Sequence, residues 1–199
     1  MDDTNLVERF KEHNDQRAFE AIINKYETQI YRFGFRMCGQ AQDAEDVVQD
    51  TFVSAYRYLK GFRGDASLLT WLLKIASSAC LKKRRLKKDE PRRHVSLDDM
   101  QESGTADSVA KTDDDASPVS LVISHEVRRR LQEVLAEIPE HYRVVLVLRD
   151  LEGLSTKEVS ETLEITESAA KVRLHRARAM LYKLLAEVYD VSDEHETAK

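Results

Sequence analysis

Only two cysteines, Cys38 and Cys80, occur in the 199 residues, and they form neither a CxxC pair nor a Cys/His cluster. A disulfide framework and a zinc site are therefore not indicated, and each thiol reads as a reduced side chain on an apolar helix face. Apolar runs are short as well: none approaches the ~20 residues needed to cross a bilayer. The opening MDDTNLVERFKEHND is acidic where a signal peptide is basic and then apolar, so a cytoplasmic protein without membrane insertion is expected. Catalytic signatures are missing. There is no glycine-rich phosphate loop, no HExxH and no GxSxG, and His13, His94, His125, His141, His175 and His195 stand without ligand spacing. The expectation is a non-enzyme with no metal and no cofactor.

What the chain has is ordinary soluble material, 42% apolar and 34% charged, enough for one sizeable core or two small ones. Its net charge of -5 hides a segregation along the sequence. Residues 1–60 carry -3, residues 61–88 carry +7, residues 89–125 carry -6, residues 126–188 balance, and residues 189–199 carry -3. Such a division argues for distinct partners rather than one general affinity for polyanions.

Helical periodicity dominates. From Phe19 apolar residues recur at Ile22, Ile23, Tyr26, Ile30, Phe33 and Met37, one stripe of a helix that Gly39 is placed to end. Asp43 offers an N-cap for a second helix, with Asp46 at its N3 position. A third helix is expected from about Ser67 through Trp71 to Lys88. Eleven of the fourteen aromatic residues lie between Phe10 and Trp71, so the larger core belongs to this half. Residues 89–120 lose the periodicity and read as an acidic, flexible linker with an end-to-end distance of roughly 30 Å.

Beyond the linker, Val127, Leu131, Val134, Leu135 and Ile138 form another helical stripe, and Pro139 suits the first turn of the next helix. VVLVL at 144–148 has the length of a buried strand, but no partner strand pattern exists in the chain, so helix is preferred. Gly153 ends that segment. Ser155-x-x-Glu158 is a capping box opening a short helix to Leu163, and Thr166 caps the next. The fold class expected is all-α, with a helical domain over 1–88, the linker over 89–120, a second helical domain over 121–188 and an acidic tail over 189–199.

Three segments suggest partners. Helix, three-residue turn and basic helix is a helix-turn-helix pattern. Around its second helix Ala170, Leu174, Ala177, Leu181 and Leu184 point inward, whereas Ser168, Lys171, His175 and Arg178 point outward and Arg173 and Arg176 flank the stripe. Such a face suits base edges and phosphates in a major groove, or is simply a solvated basic helix. LKKRRLKK at 81–88 is a basic run some three turns beyond Trp71, which suits single-stranded nucleic acid unless the indole is core. DAEDVVQDTFVSAY at 43–56 has the opposite sign. It buries Val47, Val48, Phe52 and Ala55 and presents Asp46, Gln49, Asp50 and Val53, a face suited to a basic protein or to solvent alone.

In this order the segments resemble the extracytoplasmic-function (ECF) group of bacterial sigma factors, members of the sigma-70 family. DAEDVVQDTFVSAY followed by FRGDASLLTWLLKIA resembles the family's region 2, and IPEHYRVVLVLRDLEGLSTKEVSETLEITESAAKVRLHRARAML resembles region 4. The likeness spans about 15–88 and 122–187. It implies that Asp46, Gln49 and Asp50, with Val53 beside them, bind the clamp coiled coil of core RNA polymerase, and that the polymerase flap is a further contact. It implies that Phe62 to Arg85 recognises and opens the -10 promoter element through Arg63, Trp71, Lys74, Ser78, Lys82, Lys83, Arg84 and Arg85, with a flipped base held near 63–70. Lys171, Val172, His175 and Arg176 stand at the family's positions for reading the -35 element, with Ser168 and Arg178 on the same outward face, and Arg149 matches a phosphate contact. An anti-sigma partner is expected on the same ground. Ser78 stands where the family commonly has Asn, Lys82 where it has an acid, Glu164 where it has a small residue or Gly, and Ala170 where it has Val.

Two other classes compete. A repressor or activator working without polymerase accounts for the helix-turn-helix but not for the acidic helix or LKKRRLKK. A helical signalling adaptor accounts for the helices but not for the outward cations.

Overall fold

The computed structural model describes the backbone of residues 2–89 and 118–196, with side chains at 84–89, 118–126, 128 and 188–196 outside the description. Among the described residues the regular structure is helical throughout. Helix α1, Asp3–His13, buries Leu6, Val7 and Phe10 and ends at Asn14 in the left-handed conformation. Three buried apolar residues are too short a stripe to mark this helix in the sequence. Asp15 then caps α2, Gln16–Cys38, by accepting from the amides of Arg17 and Ala18. The expected stripe is buried at Phe19, Ile22, Tyr26, Ile30, Phe33 and Met37, and Gly39 terminates the helix at φ 83°.

Helix α3, Ala41–Tyr58, starts earlier than expected. Gln40, not Asp43, is the N-cap residue, because the chain re-enters a helix directly after the Gly39 turn. Asp43 therefore falls inside the first turn, where it is buried and its carboxylate meets Lys83. Gly34 lets α2 and α3 approach closely: a Cβ there would lie 3.2 Å from the Ala44 Cα and 3.3 Å from the Val47 Cβ. A 3-10 turn, Leu59–Gly61, leads to α4, Leu68–Asp89, whose start is tied by Ser67 Oγ accepting from the Thr70 amide at 3.0 Å. Leu72, Leu73, Ala76 and Cys80 sink into the core, and Cys38 packs at its edge.

Helix α5, Pro118–Glu137, carries the second stripe, but Val127 is 60% exposed and only Leu131, Val134, Leu135 and Ile138 turn inward. Helix α6, Glu140–Leu146, follows Pro139, which caps it instead of occupying its first turn. A π-helical turn, Val147–Leu151, continues it to Gly153 at φ 78°. Every residue from Arg143 to Leu148 is buried, so VVLVL is a fully buried helical segment rather than a strand. Helices α7, Thr156–Leu163, and α8, Glu167–Glu196, complete the chain, and α8 carries the backbone of the acidic tail onward as helix. Of the linker expected over 89–120, residue 89 ends α4 and residues 118–120 begin α5, while 90–117 lie outside the described residues.

The halves before and after the linker share one apolar cluster. Val144, Val145, Val147, Leu148, Leu154, Val159 and Ala170 belong to the same core as Phe10, Phe33, Leu72 and Cys80. Polar contacts reinforce it. Beyond the Gly39 amide that reaches Phe35 O at 2.8 Å, the last carbonyls of α2 lack intrahelical donors, and side chains from the second half add to them. Arg143 Nη1 donates to Met37 O at 2.8 Å, and Gln132 Nε2 donates to Phe35 O at 2.9 Å. Glu152, its side chain 2% exposed, accepts from Arg36 at 2.6 Å and Gln29 at 3.1 Å.

Candidate nucleic-acid and protein interfaces

The acidic face of α3 is where its periodicity puts it. Val47, Phe52 and Ala55 are buried, Val48 is half-buried, and Gln49, Asp50 and Val53 are exposed. Asp46 is half-buried because Lys83 of α4 reaches over to it and also contacts Asp43 at 3.2 Å. Burial alone would depress the Lys83 pKa; hydrogen bonds to Asp46 and Asp43 outweigh it and hold the ammonium above its ordinary range.

On the approach to α4, the Phe62 ring packs against Trp71 with centroids 5.4 Å apart, and Lys11 of α1 donates to the Phe62 carbonyl. Trp71 is half-buried, partly core and partly surface. Arg63 is exposed beside Gly64, whose φ of 80° bends the loop. Lys74 pairs with Glu164 at 3.1 Å and lies 3.4 Å from the Glu161 carbonyl, while Thr70 donates to Glu158 at 3.0 Å. Ser78 is exposed and bonds back to the Lys74 carbonyl at 3.1 Å, and Lys82 is exposed. The side chains of Arg84 and Arg85 lie outside the described residues.

The helix-turn-helix is assembled by local chemistry. Ser155 accepts from the Glu158 amide at 3.2 Å while the Glu158 carboxylate accepts from the Ser155 amide at 2.9 Å, the reciprocal box read from the sequence. The Ser155 amide and hydroxyl, with Thr70, hold the Glu158 carboxyl below the usual carboxylate range. Ser155→Ala is expected to lower stability by ~1 kcal/mol, checked by urea denaturation. In the turn Glu164 adopts φ 54°, a conformation costing a non-glycine residue about 1–2 kcal/mol, and the Thr166 hydroxyl accepts from the Ala169 amide at 3.1 Å.

Around α8, Ala170 and Ala177 are buried and Leu174, Leu181 and Leu184 half-buried, whereas Ser168, Lys171, Val172, His175, Arg176 and Arg178 are exposed. Arg173 is half-buried at the margin. The outward cations are not all equivalent. Arg176 donates to the Tyr142 hydroxyl at 3.2 Å, and Arg178 grips Asp150 with bonds of 2.8 and 2.6 Å, which raises its pKa further. The partners Tyr142, Asp150 and Lys11 carry no periodic signal and are missed from sequence. Arg149 is half-buried in the π turn, next to Asp150 in the chain.

Two known families match these two surfaces. Residues 22–90 match the family described as Sigma-70 region 2, and residues 128–181 match Sigma-70, region 4. The ECF RNA polymerase sigma factor SigW of Bacillus subtilis is 31% identical over 174 residues, covering 87% of this chain and 92% of that protein. The RNA polymerase sigma-H factor of Pseudomonas aeruginosa is 32% identical over 184 residues, covering 92% and 93%. The chain belongs to the ECF group of sigma-70 factors. Among solved structures, CnrH in complex with the cytosolic domain of CnrY shares the fold of this ECF sigma factor at a TM-score of 0.62 and 24% identity, covering 93% of this chain and 97% of that one. In the sigma factor described here the region 2 match takes in α4 and most of α2, together with all of α3, and the region 4 match runs from α5 into α8. Helix α1 and its Lys11 precede the matched residues. No described helix is long and apolar enough to cross a membrane.

Proposed function

We propose that this ECF sigma factor, a non-enzymatic initiation factor working in the cytoplasm, binds core RNA polymerase and directs it to promoters by reading -35 and -10 elements and helping to open the DNA. One observation carries the reading: an acidic face on α3 and a cationic face on α8 both turn outward, each inside its matched region. Asp46, Gln49, Asp50 and Val53 form the polymerase contact, suited to a basic coiled coil by charge and to its apolar side chains by Val53. The loop from Phe62 and the outward side of α4 serve the -10 element. Unstacking a base costs a few kcal/mol, and a pocket that captures the extruded base offsets it. Arg63 stands at that loop, and Lys74, Lys82 and Lys83 supply charge for the strand. Copurification of the full chain with core polymerase, followed by run-off transcription, tests this reading; a chain that binds promoter DNA equally well without core would favour a helix-turn-helix regulator.

Lys171 and His175 project from the middle of the outward face of α8 and meet base edges, while Arg173 and Arg178 lie nearer its margins and meet phosphates, as does Arg149 by its match to the family. Lys171→Ala is therefore expected to change the ranking of -35 variants by ~1–3 kcal/mol at one base pair in holoenzyme assays. Arg178→Ala is expected to lower all promoters in proportion, since it removes a cation and releases Asp150. Unaltered ranking with Lys171→Ala would make the cationic helix a solvated surface. An anti-sigma protein is also proposed as a partner: CnrH, which shares the fold, was solved with the cytosolic domain of CnrY.

A further inference from the structure

The acidic face of α3 and the basic end of α4 do not stand apart. Lys83 crosses the α3–α4 contact to Asp43 at 3.2 Å and to Asp46, and its side chain keeps 22% of its exposure. The carboxylate of Asp43, 10% exposed, sits behind that of Asp46, 45% exposed, so one ammonium is shared by an inner and an outer acid. The outer acid belongs to the surface assigned to polymerase and the cation to the surface assigned to promoter DNA. While they neutralise each other, neither carries its full charge to its partner.

We propose that Lys83 couples the two surfaces: a polymerase cation that takes Asp46 displaces Lys83 from its outer carboxylate, and the charge so released serves a promoter phosphate. Asp43 remains as a tether, so the ammonium stays at the surface of α4 and is not lost to solvent. The coupling rests on the reading of the α3 face as the polymerase contact. It makes polymerase and Lys83 competitors for one carboxylate, and this competition sets the signs of the effects. Removing the cation must strengthen one interaction and weaken the other.

The experiment uses the full chain with purified core polymerase and Lys83→Met, with Lys83→Gln as a variant that keeps donors for both carboxylates without the charge. Melting curves confirm that each is folded. Core affinity is expected to tighten by about two- to fivefold, the range for loss of a partly exposed ion pair. Promoter binding by the reconstituted holoenzyme is expected to weaken, with a salt slope smaller by about one unit. If both variants weaken core and promoter binding together, Lys83 is a brace within the fold and the coupling is overturned. Asp50→Lys, on the same face but away from Lys83, is measured in parallel. Unchanged core affinity with Asp50→Lys overturns the polymerase reading and the coupling with it. Weakened binding with Asp50→Lys beside unchanged core affinity in both Lys83 variants overturns the coupling alone.

Discussion

A chain carrying Asp50→Lys and Val53→Glu is expected to lose core RNA polymerase affinity by about a hundredfold or more while keeping its helical circular dichroism. Both side chains are exposed, Val53 at 44%, and neither supports the Val47/Phe52/Ala55 stripe beneath them. The fold should therefore not register the change. At the interface the same change sets a cation against a basic partner and a charge against an apolar contact. Like-charge juxtaposition of this kind costs several kcal/mol, and each 1.4 kcal/mol is about tenfold in affinity. The pair is chosen over Asp46 because a lysine at 46 would face Lys83 and disturb the fold directly. Equilibrium titration of labelled core distinguishes the outcomes, and retained affinity would remove α3 from the polymerase contact.

Arg143→Ala is expected to cost about 2–4 kcal/mol and to split unfolding into separable steps. Arg143 is 1% exposed, and its guanidinium is committed to backbone carbonyls of two helices. Nε and Nη2 donate to Ile138 O at 3.2 and 2.9 Å, Nη2 also donates to Ala136 O, and Nη1 donates to Met37 O at 2.8 Å. Truncation removes the guanidinium's bonds to those carbonyls, where a buried group left unsatisfied costs about 1–3 kcal/mol, and opens a void beside Met37. Burying the cation itself is costly, so the loss is smaller than a sum of bonds would suggest. Because one of the carbonyls closes α2 and the others close α5, the substitution removes a fastening between the two halves. Urea denaturation followed by Trp71 fluorescence, which reports the first half, and by far-ultraviolet dichroism, which reports both, should cease to coincide. Coincident transitions at wild-type midpoint would show that the guanidinium contributes nothing net.

The elements legible in the sequence are those whose signal is local. The α2 stripe, the Gly39 stop, the Ser155/Glu158 box and the Thr166 cap each lie within a few residues of the structure they specify, and each is present. The inward and outward faces of α3 and α8 follow from one angle per residue and are reproduced in the burial. The Asp43 cap fails because the helix starts directly after the Gly39 turn and leaves Asp43 inside its first turn, where the carboxylate meets Lys83, forty residues away in the chain. Long-range pairing also explains why the roles of Tyr142, Asp150 and Glu152 could not be read, since each is defined by a partner on another helix. Least legible of all was the common core. A polar linker is compatible with halves that touch or halves that do not, and only the packing of Val144, Val145, Val147 and Leu148 against the first half decides.

That packing bears on how the protein survives in solution. VVLVL at 144–148 combines β-branched and leucine side chains with no charge and no proline, the composition of segments that pair into cross-β aggregates once bared. Inside the closed molecule its backbone is committed to helix and its side chains are covered from two directions. Separating the halves would uncover one of those sides. An opened molecule would then face a choice between finding a large partner quickly and sticking to another copy of itself. The shared core thus keeps an aggregation-prone segment covered for as long as the halves stay together.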